Sequence, residues 1–246
     1  MNSADTTLGG SDPRFPETAV DVLSLLREGG PSGLRAALDV LSERYWKPIY
    51  AYIRVGGART NEDAKDLTQA FFLWLQESEV LSRFREERGS LRGYLKILLK
   101  RFVKDQVQAL HRLKRGGGHT IVSLSSDSSG LEELLADPNG VDPEAIYERV
   151  WRTELVNQAI DRLKDRAQSE GDGIAFSVLQ GYDLVADAER PTYMELGARL
   201  GLSEPEVKKH LFRMRSRLLG EIRIDLARQT LNDRDLDDEW KFLFGV

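Results

Sequence analysis

The side chains able to do chemistry in this 246-residue chain are carboxylates, cations and hydroxyls, because it holds no cysteine and only three histidines. His111, His119 and His210 are scattered without metal-ligand spacing, and thiolate sites and disulfides are excluded. Acids gather at Glu62, Asp63 and Asp66 and again at Glu86 and Glu87. A metal-dependent enzyme could be built on such acids, but at a helix start they ordinarily serve as caps and solvated charge. No catalytic residue, metal or cofactor is therefore expected. The cations say more. From Arg92 to Arg115 eight Lys or Arg stand against one acid, Asp105, in a chain with 35 basic and 40 acidic residues. Lys96, Lys100 and Lys104 recur on one helical stripe, with Arg101 further round, while Leu95, Leu98, Leu99, Phe102 and Val103 form an apolar stripe. A packed helix with a basic outer face suits phosphates; the plainer alternative is a solvated charged face.

These residues must be carried by helices. Apolar residues make up 41% of the chain and charged ones 30%, with a net charge of −5, so any nucleic-acid surface must be local. Helical periodicity is widespread and strand signals are scarce. The expected fold is all-α, with two small helical domains joined by a flexible linker and a helix-turn-helix in the second. The expected layout is a disordered leader (1–14), a first domain (15–112), a linker (113–141), a second domain (142–228) and a C-terminal extension (229–246). The start of the chain is polar, without a signal core, and no run approaches membrane-spanning length, which suggests a cytoplasmic protein.

In the first domain Val20, Leu23, Leu25 and Leu26 suggest a short helix ended by Gly29-Gly30-Pro31. A second helix runs from Ser32 to about Arg44, and Tyr45 to Ile53 continues it with a break or new first turn at Pro48. The aromatics there read as core. Glu62 to Leu75 forms an amphipathic helix that is acidic at its start, with Ala64, Leu67, Phe71 and Trp74 as its apolar row and Thr60 or Asn61 as its cap. Phe84 to Tyr94 is a charged loop with flanking aromatics, a place where unpaired bases could stack. Gly116-Gly117-Gly118 and the serine-rich stretch after it mark the linker.

The second domain begins at Asp142-Pro143-Glu144 with an inward stripe of Ile146, Val150, Trp151, Leu155, Ala159 and Leu163. From Thr192 to Leu218 the pattern is that of a helix-turn-helix. Leu196 and Leu200 face inward, Gly201 permits a left-handed turn, and Leu202 plugs the angle. Ser203 with Glu206 forms a capping box, and Val207, Leu211, Met214 and Leu218 face inward again. Lys208, Lys209, Phe212, Arg213, Ser216 and Arg217 project outward, a basic second helix suited to DNA.

Taken together, these motifs resemble bacterial RNA polymerase sigma factors of the extracytoplasmic-function group. Asp63-Ala64-Lys65-Asp66-Leu67-Thr68-Gln69 followed by Phe71-Phe72 is similar to the helix that grips the polymerase clamp. The segment from Phe84 to Arg115 resembles the promoter-melting and minus-ten-reading part, and Thr192 to Leu218 the minus-thirty-five-reading part. The resemblance covers about residues 15–230. It implies a protein that binds core RNA polymerase, through the β′ clamp and the β flap, and directs promoter recognition, melting and transcription initiation without catalysing a reaction. Polymerase contacts would fall on Asp63, Asp66, Leu67, Gln69 and Phe72. Promoter DNA would meet Phe84, Arg85, Arg88, Arg92, Lys96, Lys100, Arg101 and Lys104 in one domain. In the other it would meet Lys208, Lys209, Phe212, Arg213, Ser216 and Arg217, where an Arg–guanine pair supplies roughly 1–3 kcal/mol of discrimination.

The sequence departs from the family pattern at Lys65, where an acid is usual, and at Arg101, where many members have Asn. Its acidic, then aromatic tail, Leu231 to Phe244, suggests either a cover for the basic DNA-facing helix or a terminal helix completing the second core. Regulators implied by the resemblance are an anti-sigma factor or a Ser/Thr kinase acting at Thr60 or Thr68. The alternative function is a stand-alone helix-turn-helix transcription regulator.

Overall fold

The computed structural model describes residues 22–28, 30–56, 60–78, 80–84, 90–114, 142–227, 230 and 233–245. Among them the structure is all-α, with no strand. The expected leader, the expected linker from residue 115 to 141, and the loop residues Arg85 and Arg88 lie outside the described residues; Leu113 and Lys114, expected to open the linker, are helical. The chain divides into two compact units, Met1–Arg152 with Arg228–Asp235 and Thr153–Ala227 with Leu236–Val246.

The first unit contains α1 (Val22–Glu28), α2 (Gly30–Gly56), α3 (Asn61–Glu77), a 3-10 turn (Val80–Arg83), α4 (Leu91–Lys114) and the opening turns of α5 (Pro143–Ser169). The expected break at Pro48 does not occur: α2 is one continuous helix with Pro48 inside it. A proline gives up one backbone hydrogen bond and crowds the preceding turn. Here Tyr45, Ile49, Tyr52 and Ile53 all pack inward around it, and that burial outweighs the loss. The aromatic cluster is core, as its composition indicated.

On α3 the fully buried row is Ala64, Thr68, Phe71 and Leu75; Leu67 and Trp74 are only half-buried. Thr68 fits the core because its hydroxyl donates to the Ala64 carbonyl at 2.7 Å, so the side chain carries no unsatisfied donor inward. Phe71 meets Phe102 of α4 edge-on, ring centroids 5.4 Å apart, and Trp74 lies 5.7 Å from the same ring. With Leu91, Leu95, Leu98 and Leu99 buried beside Phe102, α4 turns its leucine stripe inward and its lysines outward.

The second unit contains the rest of α5, then α6 (Gly173–Asp183), a 3-10 turn (Asp187–Glu189), α7 (Tyr193–Leu200), α8 (Glu204–Ala227) and most of α9 (Asp233–Phe244). Leu163, Ala167, Ala175, Phe176, Leu179 and Met214 make one buried cluster. Val178, Leu196, Val207 and Leu211 make another, with Leu200 and Leu202 packed against it. Two glycines set the α7–α8 angle. Gly201 sits at φ 70°, a left-handed conformation that side chains resist, and ends α7. At Gly197 an added Cβ would lie 2.5 Å from the Leu202 carbonyl oxygen, so the chain crosses there only because the position is bare.

Caps fix the helix starts. Thr60 caps α3 in a full capping box with Asp63, and Thr192 does the same for α7 with Glu195. At α8 the Ser203 amide and hydroxyl both donate to the Glu206 carboxylate, at 2.8 and 2.6 Å. These bonds hold the Glu195 and Glu206 carboxyls below the ordinary carboxylate value: the Thr192 amide is the main cause for Glu195, the Ser203 hydroxyl for Glu206.

Candidate polymerase and nucleic-acid surfaces

Because one side of α3 is core, its other side is a continuous exposed strip. Glu62, Asp66, Gln69 and Leu73 fall on it at helical spacing, and Leu73 is 57% exposed although its neighbours in sequence are buried or half-buried. Asp63 is exposed at the strip's start, but its carboxylate also accepts the Thr60 amide as a cap, at 3.2 Å. Leu67 and Phe72 are half-buried, and Phe72 stacks on Trp46 with centroids 5.9 Å apart and planes 8° from parallel. Of the five residues expected to meet a partner, Asp63, Asp66 and Gln69 are exposed, Asp63 being also tied into the cap, while Leu67 and Phe72 present only part of their area. Leu73 lies outside the expected apolar row of Ala64, Leu67, Phe71 and Trp74; its helical spacing with Glu62, Asp66 and Gln69 is the sequence signal for its exposure. Thr68 is fully buried, which rules it out as a kinase acceptor in the folded chain, whereas Thr60 is half-exposed.

On α4 the expected cations separate into two groups. Lys104 and Arg101 are exposed and make no ion pair among the described residues, and Ile97 beside them is 66% exposed. Arg92, Lys96 and Lys100 are engaged. Lys100 bonds Glu144 at 2.7 Å, Lys96 reaches Glu148 at 2.9 Å and Glu144 at 3.7 Å, and Arg92 pairs with Glu148. The Arg92 guanidinium also lies over the Trp151 ring, 4.7 Å from its centroid. The hydrogen bond to Glu144 raises the Lys100 ammonium above its ordinary value, and the same bond lowers the Glu144 carboxyl. Burial, followed by the Glu144 charge, pushes the nearby Tyr52 phenol up. Phe84 is not splayed outward: it packs 5.3 Å from the Tyr94 ring, whose hydroxyl donates to the Val80 carbonyl at 2.7 Å.

On α8 the inward side chains are Val207, Leu211 and Met214, all essentially sealed from water. The outward face holds Lys209, Phe212 and Ser216, with Lys208 and Arg213 on its flanks. Phe212 is 79% exposed. Lys208 bonds Glu204 at 2.6 Å and sits over the Tyr193 ring; that bond raises its ammonium above the ordinary value. Arg213 meets Asp172 at 2.5 Å, and Arg217 meets Glu170 at 2.6 Å and Asp172 at 3.2 Å. Arg215, on another side, makes a two-pronged bond to Asp183, both contacts at 2.7 Å. Lys209 makes no ion pair among the described residues.

The tail is helical. Asp237 of α9 pairs with Arg223 at 3.3 Å, Arg223 lies over Trp240, and Leu236 and Glu239 are buried. These contacts lie at the far end of α8 from Lys208, Lys209 and Phe212. They fit a helix completing a core better than a cover for the basic face. Among the described residues no group of three or more His, Asp or Glu could hold a metal, and no helix is long and apolar enough to cross a membrane. Comparison with known proteins finds no matching family model, no similar curated protein and no similar solved structure.

Proposed function

We propose that the chain is a sigma factor of the extracytoplasmic-function type, which joins core RNA polymerase and directs where it initiates. In this reading the α3 strip of Glu62, Asp66, Gln69 and Leu73 docks on the basic β′ clamp. The α4 cations follow the promoter backbone. The helix-turn-helix formed by α7 and α8 lays Lys209, Phe212 and Ser216 in the major groove. The observation that carries the reading is the division of sign between surfaces. One exposed strip is acidic and apolar, two others are basic, and each lies on a helix whose opposite side is core. Phosphate contacts would position the protein, and the outward face of α8 would supply base contacts.

A second reading, a stand-alone helix-turn-helix regulator, is favoured by the engagement of Arg92, Lys96 and Lys100 with acids, which closes most of the α4 row and leaves promoter contact to the outward face of α8, where Lys209 is unpaired among the described residues and Phe212 is 79% exposed. Copurification with core polymerase, followed by run-off transcription on genomic fragments, separates the two. Sigma activity requires both association and new start sites. Specific DNA binding without either supports the regulator, and neither binding nor redirected initiation would refute both.

A further inference from the structure

Acids of α5 and cations of α4 form a ladder. Glu144 and Glu148 lie one turn apart near the start of α5, and Lys100, Lys96 and Arg92 descend α4 at the same interval. The two rows run in opposite senses: Glu144 takes Lys100 and Lys96, and Glu148 takes Lys96 and Arg92. The rungs differ in their access to water. The Lys100 side chain is 67% exposed and Glu144 36%, whereas Arg92 and Glu148 are 12% and 11% exposed. Arg92 over Trp151 also seats the turn, and Pro143 lies beside Gly56, where an added Cβ would come within 3.5 Å of the proline ring.

We propose that the first two turns of α5 are a built-in competitor for nucleic-acid phosphate. Glu144 and Glu148 occupy Arg92, Lys96 and Lys100 and must be displaced before those cations engage a DNA backbone. The proposal rests on reading α4 as a DNA surface. A helical pair of carboxylates offers a cation what two phosphates offer: fixed negative oxygens at regular spacing. The exposed outer rung would yield first, and the desolvated inner rung would hold until DNA replaces it. The unprotected Arg101 and Lys104 make the first contact and bring phosphate alongside.

The test is fluorescence anisotropy of the full chain with a labelled duplex and with a single strand of the same length, across a salt series. Glu144→Gln with Glu148→Gln should bind about tenfold more tightly at low salt. Its log–log salt slope should be steeper by about two to three, the share of three freed cations. Asp161→Asn with Asp165→Asn, an equal change in net charge at exposed acids of α5, should leave both quantities as in the wild type. No gain in the glutamine variant, or an equal gain in the control, overturns the proposal.

A second variant works in the opposite direction. An added Gly56 Cβ would lie 3.6 Å from the Pro143 Cβ, within disulfide geometry, and the chain has no other cysteine. Gly56→Cys with Pro143→Cys should bind DNA severalfold more weakly when oxidised than when reduced. Equal affinities overturn the proposal even if the glutamine variant does not fold. Arg101→Ala with Lys104→Ala tells the two levels apart. If it leaves DNA binding unchanged, the reading of α4 falls and the competitor with it. If it weakens binding while the glutamine and disulfide variants change nothing, the competitor alone is refuted.

Discussion

Phe212 offers the sharpest test of the proposal that α8 meets DNA. Its ring is 79% exposed on the outward face of the helix, so Phe212→Ala should leave folding stability within about 0.5 kcal/mol of the wild type. An aromatic ring that enters the major groove has one natural apolar target there, the methyl of thymine. Burying one methyl-sized group contributes about 0.8 kcal/mol, close to fourfold in affinity. The assay begins with the selected binding site, in which each thymine is replaced in turn by deoxyuridine, removing the methyl and nothing else. The wild type should lose about fourfold at one or two positions, and Phe212→Ala should lose nothing further there. This coupling is insensitive to salt, unlike loss of the neighbouring Lys209. If the wild type ignores every methyl, or if the variant and the methyl deletion cost independently, Phe212 does not read thymine.

Further expectations concern the other surfaces and the turn that shapes them. Leu73→Glu should weaken binding to core polymerase by about 10- to 100-fold, the range for losing one buried leucine, while thermal unfolding stays unchanged because the side chain already faces water. Gly197→Ala places a Cβ 2.5 Å from the Leu202 carbonyl oxygen and should cost about 1–3 kcal/mol in denaturant unfolding, with loss of DNA binding in proportion. Acidification should loosen the start of α5. The Glu144 carboxyl is depressed, first by its bond to Lys100, so its share of the contact is complete above the ordinary carboxylate range and is lost as pH falls through the lowered value. Lys100 is raised by the same bond, so its share disappears only when pH climbs through that raised value. Amide exchange at residues 144–148 across the acid range checks this, and protection that does not fall there would contradict it.

Periodicity was enough to read which side of α4, α5 and α8 turns inward, because leucine, valine and methionine at helical intervals have few alternatives to burial. Leu95, Leu98, Leu99 and Phe102 are core, as are Ile146, Val150, Trp151, Leu155, Ala159 and Leu163. The continuity of α2 through Pro48 was not legible, since it depends on how much tertiary burial surrounds the ring. Thr68 was misjudged for a related reason: a hydroxyl satisfied by its own helix behaves as a small core residue. Ion pairing was the least accessible part. Lys96 and Glu148 are 52 residues apart, and no local pattern announces that one will find the other. The exposed sites on α3 and α8 could be listed from composition, but whether each cation there was open or engaged could not.

Both units engage most of the cations proposed to face DNA with their own acids. Nine described cations were assigned to DNA: Arg92, Lys96, Lys100, Arg101, Lys104, Lys208, Lys209, Arg213 and Arg217. Six of them hold carboxylates within ion-pair distance, leaving Arg101, Lys104 and Lys209. In a chain of net charge −5 attraction to DNA must be local, yet nine open cations would bind any duplex. Compensation by nearby acids limits that indiscriminate binding. When a phosphate replaces a protein carboxylate, the counterion released from DNA is partly recaptured by the freed acid, so that contact adds little salt dependence. Non-specific binding of the wild type should therefore show a log–log salt slope near −3, the share of three open cations, rather than about −8 for all nine. Only a correct site, where base contacts repay the displacement of the acids, should draw the remaining cations in. A slope near −8 on random duplex would mean that the acids hold nothing back, and specificity would have to come from the face of α8 alone.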